Sequence, residues 1–127
     1  MHDEIHEQPK AVANAYQINI KKVQSIVAEI KKAGITNVIL TARGSSDNVC
    51  VYFKYHCEIY VGIPCGFSPP SVSTIYGAKL KLANTLVIAV SQSGMGLEIR
   101  QVVNDANRCG AITLAITNDP NSLLAKA

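Results

Sequence analysis

The chain has no tryptophan, and its four cysteines, Cys50, Cys57, Cys65 and Cys109, form no CxxC pair. They show no metal-like spacing with the three histidines either, so no metal site is expected. The thiols read instead as small buried hydrophobes in a reducing compartment. The amino terminus, MHDEIHEQPK, carries no apolar segment of signal-peptide length, and no run elsewhere is long enough to span a bilayer. A cytoplasmic protein with no membrane partner is the resulting expectation. Charge of one sign is never massed: the formal net charge is +3, but the lysines are dispersed through helical stretches such as IKKVQSIVAEIKK. A nucleic-acid partner is therefore not expected. Phosphate fingerprints of the nucleotide enzymes are missing as well. There is no GxxxxGK[ST], and no GxGxxG follows the first apolar run. Nucleotide hydrolysis and dinucleotide binding are both disfavoured.

What is present is the composition of an ordinary globular protein, 48% hydrophobic and 17% charged over 127 residues, which fits one domain with one hydrophobic centre. From Gln8 onward apolar residues recur at helical spacing (Val12, Tyr16, Ile20, Val23, Val27, Ile30), with Pro9 in the first turn and Gly34 as the stop. NVILTA, TLVIAV and AITLAIT are short apolar runs that suit strands covered on both faces. Between them, SDNVCVYFKYHCEIYVG and Leu97 to Arg108 return to helical spacing, IPCGFSP is a short extended piece, SVSTIYG a short helix, and NSLLAKA the start of another. Such alternation indicates an α/β fold, a three-layer αβα sandwich with a parallel sheet and helices on both faces. Three strands and an unfinished last helix leave an open edge, which suggests the leading part of a longer protein, or completion by association. Residues 1–35 are expected as an amino-terminal helical segment and 36–127 as the sheet domain.

Ligands of parallel sheets bind outside the carboxyl ends of the strands. Two loops lie there, ARGSSDN after the first strand and SQSGMG after the second, and each leads into a helix. Unpaired N–H groups and the positive end of a helix dipole favour an anion at such a place, glycine permits close approach, and serine adds short donors. Gly44, Ser45 and Ser46 offer this in one loop; Ser91, Gln92, Ser93 and Gly94 offer it in the other. Together they could cradle one phosphate monoester. Alternatively, Ser46 and Ser93 are only helix caps and the glycines only make turns.

The residues ARGSSDN, SQSG and AITLAITNDPNSLLAKA, in that order, with HDEIHEQP before them and PSVSTIYG between, resemble the sugar isomerase (SIS) domain. The resemblance covers nearly the whole chain and is nearest to the isomerase half of glucosamine-fructose-6-phosphate aminotransferase, to phosphosugar isomerases and to type II glucosamine-6-phosphate deaminases. It implies a flavodoxin-like SIS domain, truncated at its carboxyl end, that takes a sugar phosphate and needs no cofactor. Ser45, Ser46, Ser91, Gln92 and Ser93 would then hold the phosphate. Where the family continues SQSG with an acidic residue and a serine or threonine, this chain has Met95 and Gly96, and Gly96 retains a backbone N–H for the ligand. The groups that open the ring and move protons between C1 and C2 lie mostly in a second SIS domain of such proteins. No catalytic residue is therefore assigned in this chain, and whether it is an enzyme by itself is left open. A homodimer or higher homo-oligomer is implied. The alternatives are a non-catalytic sugar-phosphate-sensing module and an inactive fragment.

Residues that could do acid/base work locally are few. His56 lies three and four residues beyond Phe53 and Tyr52, the position of a half-buried packing histidine; His2 and His6 read as solvated surface groups. Glu98, one turn into its helix, suits the dipole there. Arg43 could pair with a phosphate or with a neighbouring side chain.

Overall fold

A computed structural model describes residues 2–127, with side chains from Ile5 onward. The chain divides into two compact units, Met1–Gly34 and Ile35–Ala127. The first is a single helix, α1 (His2–Lys32), with Lys31 and Lys32 against the negative end of its dipole. It starts earlier than the spacing predicts and runs through Pro9. A proline there removes one i→i−4 bond, a loss the surrounding turns carry. Gly34, at φ 64°, ends it in the left-handed region.

The second unit follows the order β1 (Asn37–Thr41), α2 (Ser46–His56), a π-helical turn (Cys57–Val61), β2 (Cys65–Phe67), α3 (Pro70–Thr74), β3 (Thr85–Val90), α4 (Leu97–Arg108) and β4 (Ile112–Ile116). The sheet is four-stranded, in the order β2-β1-β3-β4. Every pairing is parallel; Ile39 sits opposite Gly66 on one side and Val87 on the other, and Val87 sits opposite Thr113. The strand count differs from the three that periodicity predicts. The extra one, β2, is three residues long with Pro64 before it and glycine inside it, so it carries almost no pattern of its own. Its register comes from β1: Val38 N–H donates to Pro64 O at 2.9 Å, and Ser68 N–H donates to Leu40 O at 2.9 Å.

Successive strand residues point to opposite faces, so each strand needs cover on both. On one face α4 supplies it. Val87, Leu82 and Ala106 form a buried cluster joined by Ile39, Cys109 and Ala111; Ala89, Ile99, Val103 and Leu124 form a second, joined by Ala115. On the other face Val38, Leu40, Leu86 and Ile88 are buried, and α2, in contact with β1 and β3, adds Cys50. Burying a side chain such as Leu40 contributes roughly 1.5–3 kcal/mol. β4 is less covered, with Ile112 39% and Ile116 47% exposed.

All four cysteines are free; Cys50, Cys57 and Cys65 are buried and Cys109 is half-buried. Burial raises the thiol pKa of all three buried residues, that of Cys65 to about 11. Residues 117–127 form turns, where the helical expectation for NSLLAKA fails. Leu124 is the reason: it inserts into the Ala89–Ile99–Val103 cluster, and its N–H donates to Gly94 O at 3.0 Å. The segment follows the shape of a neighbouring loop, and that contact overrides its own helical propensity.

Candidate functional site

Strand order reverses between β1 and β3, whose chain neighbours lie on opposite sides of the sheet. Loops diverge at such a point and leave a crevice at the carboxyl ends of the strands. The loop after β1 turns at Gly44, whose φ of 62° is strained for any other residue although a Cβ would meet nothing within 4 Å. Asp47 N–H donates to Gly44 O at 3.1 Å and Asn48 N–H to Ser45 O at 3.2 Å, which starts α2. Ser45 occupies the N-cap position, yet no side chain caps the helix.

The loop after β3 is built differently. Ser91 N–H donates to Ile116 O at 3.0 Å and so leaves the strand still paired to β4. Two hydroxyls then turn inward on the loop's own backbone: Gly94 N–H donates to Ser91 Oγ, and Met95 N–H donates to Ser93 Oγ, both at 3.3 Å. Ser93 is therefore no helix cap. The N-cap of α4 is Gly96, extended at φ −64° and ψ 111°, with no side-chain bond to the helix. Gly94 is buried with a φ of 63°, and a Cβ there would lie 2.2 Å from Ser122 Oγ and 2.8 Å from Thr117 Oγ1.

Those two residues belong to a third loop, TNDPNS, whose part the sequence reading missed. Thr117 Oγ1 donates to Gln92 O at 3.2 Å and Asn118 N–H donates to the same carbonyl at 3.0 Å. Asn121 N–H donates to Asp119 Oδ1 at 2.8 Å, and Asp119 N–H to Thr117 Oγ1 at 3.3 Å, so short polar side chains hold the turn that holds Gln92. A cluster of Thr, Asn, Asp, Pro and Ser beyond an apolar strand was the available signal.

Both serine loops line one cavity of about 320 Å³, with Ser45, Ser46, Ser91, Gln92, Ser93 and Gly96 in its wall. Gly44 and Gly94 shape the loops from outside that wall. Arg43 and Glu98 complete the rim, with Arg43 Nη1 donating to Glu98 Oε2 at 2.7 Å. A larger cavity, about 420 Å³, lies between α3, α4 and the sheet and is lined mainly by Ile39, Val72, Leu82, Val87 and Val102; it holds none of the serine-loop residues. On its border Ser73 donates to Asp105, and this bond, ahead of those from Gln101 and Arg108, holds the Asp105 carboxyl below the ordinary range.

His56 stands apart from the crevice. His56, at the far end of α2 from Ser46, is exposed where a half-buried position was expected; it stacks between Tyr52 and Tyr60, with ring centroids 4.0 and 5.4 Å away. These residues recur every fourth position along one helical face, where nothing in the same unit covers them. His6 is exposed on α1, and the side chain of His2 lies outside the described residues. Among the described residues no group of His, Cys, Asp and Glu could hold a metal ion, and no helix is long and apolar enough to cross a membrane.

Residues 29–127 match the model of the family described as SIS domain. The isomerising glutamine–fructose-6-phosphate aminotransferase of Staphylococcus aureus strain Mu50 is 32% identical over 129 residues, covering 97% of this chain and 21% of that protein. Its namesake from Sulfurisphaera tokodaii is 31% identical, over 97% of this chain and 20% of its own length. The chain thus spans about a fifth of the length of the curated relatives it matches. Among solved structures, a candidate phosphosugar isomerase from Silicibacter pomeroyi superposes with a TM-score of 0.94 at 39% identity, over 98% of this chain and 38% of that one. The C-terminal domain of glucosamine-fructose-6-phosphate aminotransferase from Francisella tularensis superposes at 0.82 with 25% identity, over 97% and 35%.

Proposed function

The chain belongs to the SIS domain family, and on that premise we propose that the crevice between the β1 and β3 loops is a cradle for the phosphate of a hexose or hexosamine 6-phosphate. One observation carries the reading. Two serine- and glycine-rich loops from adjacent parallel strands, each running into a helix N-terminus, line a single cavity. The wall offers the hydroxyls of Ser45, Ser46, Ser91 and Ser93, the Gln92 amide and the first N–H groups of α4. Hydrogen bonds from such groups to an ionised phosphate are the strong, charge-assisted kind. The ligand name follows the relatives, which act on fructose 6-phosphate or are described as phosphosugar isomerases.

The chain's part is recognition of the phosphate end. Among the described residues that line the cavity Glu98 is the single carboxylate and none is a histidine, and we assign proton transfer between C1 and C2 to groups of a second SIS domain. The unit acts in the cytoplasm as a homodimer or larger homo-oligomer. Calorimetry with fructose 6-phosphate, glucosamine 6-phosphate and the unphosphorylated sugars tests the assignment. Binding is expected for the phosphorylated forms alone, and equal affinity for both forms would sink it. Assay of the same protein for isomerisation and deamination is expected to show no turnover.

A further inference from the structure

The rim of the cradle carries two charges among the described residues that line it, Arg43 and Glu98, and they cancel. Arg43 stands between buried Ala42 and left-handed Gly44, so the β1 loop presents it beside Ser45 and Ser46. Glu98 comes from the first turn of α4, 55 positions later. Their bond of 2.7 Å joins the β1 loop to the first turn of α4 at the lining of the cavity, with the side chains 64% and 55% exposed. An anion entering there meets a carboxylate where a bare helix N-terminus would offer only positive potential. It also finds the one guanidinium of the rim already donating to another acceptor.

We propose that Glu98 is a specificity-determining residue: by holding Arg43 it weakens the cradle for bare phosphate and favours phosphate esters of polyhydroxy compounds. This rests on the phosphate-cradle reading. An exposed ion pair is worth little, so an anion can draw Arg43 away at small cost. The exchange leaves Glu98 without its donor. Inorganic phosphate, a mixture of mono- and dianion near neutral pH, has only P–OH donors on the anion itself, which sits against the guanidinium, and so has little to give back to a carboxylate. The hydroxyls of a sugar phosphate can donate to it while the phosphate takes the guanidinium, so the ester restores the bond that its binding breaks.

The test is a double-mutant cycle by calorimetry at fixed ionic strength, on wild type, Glu98→Gln, Arg43→Gln and the double variant, each titrated with inorganic phosphate and with fructose 6-phosphate. Thermal melts establish that all four are folded. Glu98→Gln is expected to bind inorganic phosphate roughly five- to tenfold more tightly, with a smaller gain for the ester, so that the preference narrows. The gain should vanish in the double variant. An unchanged ester-to-phosphate ratio in Glu98→Gln overturns the proposal. So does a gain that persists without Arg43, because removal of negative charge alone would then account for it. Failure of the cradle itself looks different: Ser46→Ala and Ser93→Ala would leave ester binding intact, whatever the cycle shows.

Discussion

The loops after β1 and β3 share a composition and a place in the fold, yet they are held in opposite ways. Gly44 turns in open space, and its loop is held by the first bonds of α2 and by Arg43 reaching to Glu98. Gly94 turns inside a packed contact, with Ser122 and Thr117 against its α-carbon, and Ile116, Asn118 and Leu124 hydrogen-bonded to Ser91, Gln92 and Gly94. One half of the proposed cradle is held by the chain beyond β4; the other has fewer such contacts, and we expect it to adjust more readily. A site built this way gains affinity from its rigid half and admits its ligand through the soft one.

Alanine at the two glycines should separate the halves most sharply. At Gly44 only the positive φ opposes a side chain, and the expected loss of stability is about 1–2 kcal/mol. At Gly94 the same strain is joined by overlap with Ser122, and the loss is expected to exceed about 3 kcal/mol in chemical denaturation. Similar losses at both positions would erase the distinction.

Serine substitutions probe binding in place of fold. Ser93→Ala is expected to weaken fructose 6-phosphate binding by roughly 1.5–3 kcal/mol, and Ser46→Ala to do the same or less because its loop can shift. Stability should barely move for Ser93, since the N-cap position of α4 is Gly96 and not Ser93. A loss of folding stability with binding intact would return Ser93 to a structural role.

How much of this was legible beforehand follows from the range of each interaction. TLVIAV announces a strand because all its neighbours are apolar, and Leu97 to Arg108 announces a helix by period. The two serine loops were legible as a pair because adjacent apolar runs of a parallel sheet put their carboxyl ends together. The partner of Arg43 was not, for Glu98 lies 55 positions away and only the superposed loops join them. Gly94 read as a turn residue; that it also leaves room for Ser122 depends on a segment whose own spacing pointed to a helix. β2 lay below the length at which periodicity carries information.

Acid should act on a region remote from both loops. The pKa of Asp105 is lowered from 3.8, first by the Ser73 hydroxyl. Its contribution is therefore present above the ordinary aspartate range and is lost as pH falls through and below 3.8. Ser73→Ala should remove part of that pH dependence, an effect below about 1 kcal/mol for a half-buried surface carboxylate, measured as the difference in stability between pH 7 and pH 3. Ser46→Ala and Ser93→Ala should leave the pH profile of stability as it is in the wild type.

The smallest effect belongs to Gly96→Thr. Its φ of −64° suits any residue, and a Cβ would make ordinary contact with Ile99 Cγ1 at 3.8 Å. A hydroxyl at the N-cap is expected to raise stability by a few tenths of about 1 kcal/mol. Phosphate-ester binding should tighten, and weaker binding would mean that close backbone approach at Gly96 matters more than an added donor.

The three buried thiols lie in α2, which packs on β1 and β3, in the π turn, and in β2, the border strand of the sheet. Since it is an exposed thiolate that attacks an alkylating reagent, these side chains are protected twice, by burial and by raised pKa. Each becomes reactive only when its element detaches. Timed alkylation resolved by peptide mass would thus record how often the border strand lifts away without the rest of the sheet, with Cys109 near the opposite edge as the internal clock. If β2 is the loosest strand, as its three residues suggest, Cys65 is labelled long before Cys50.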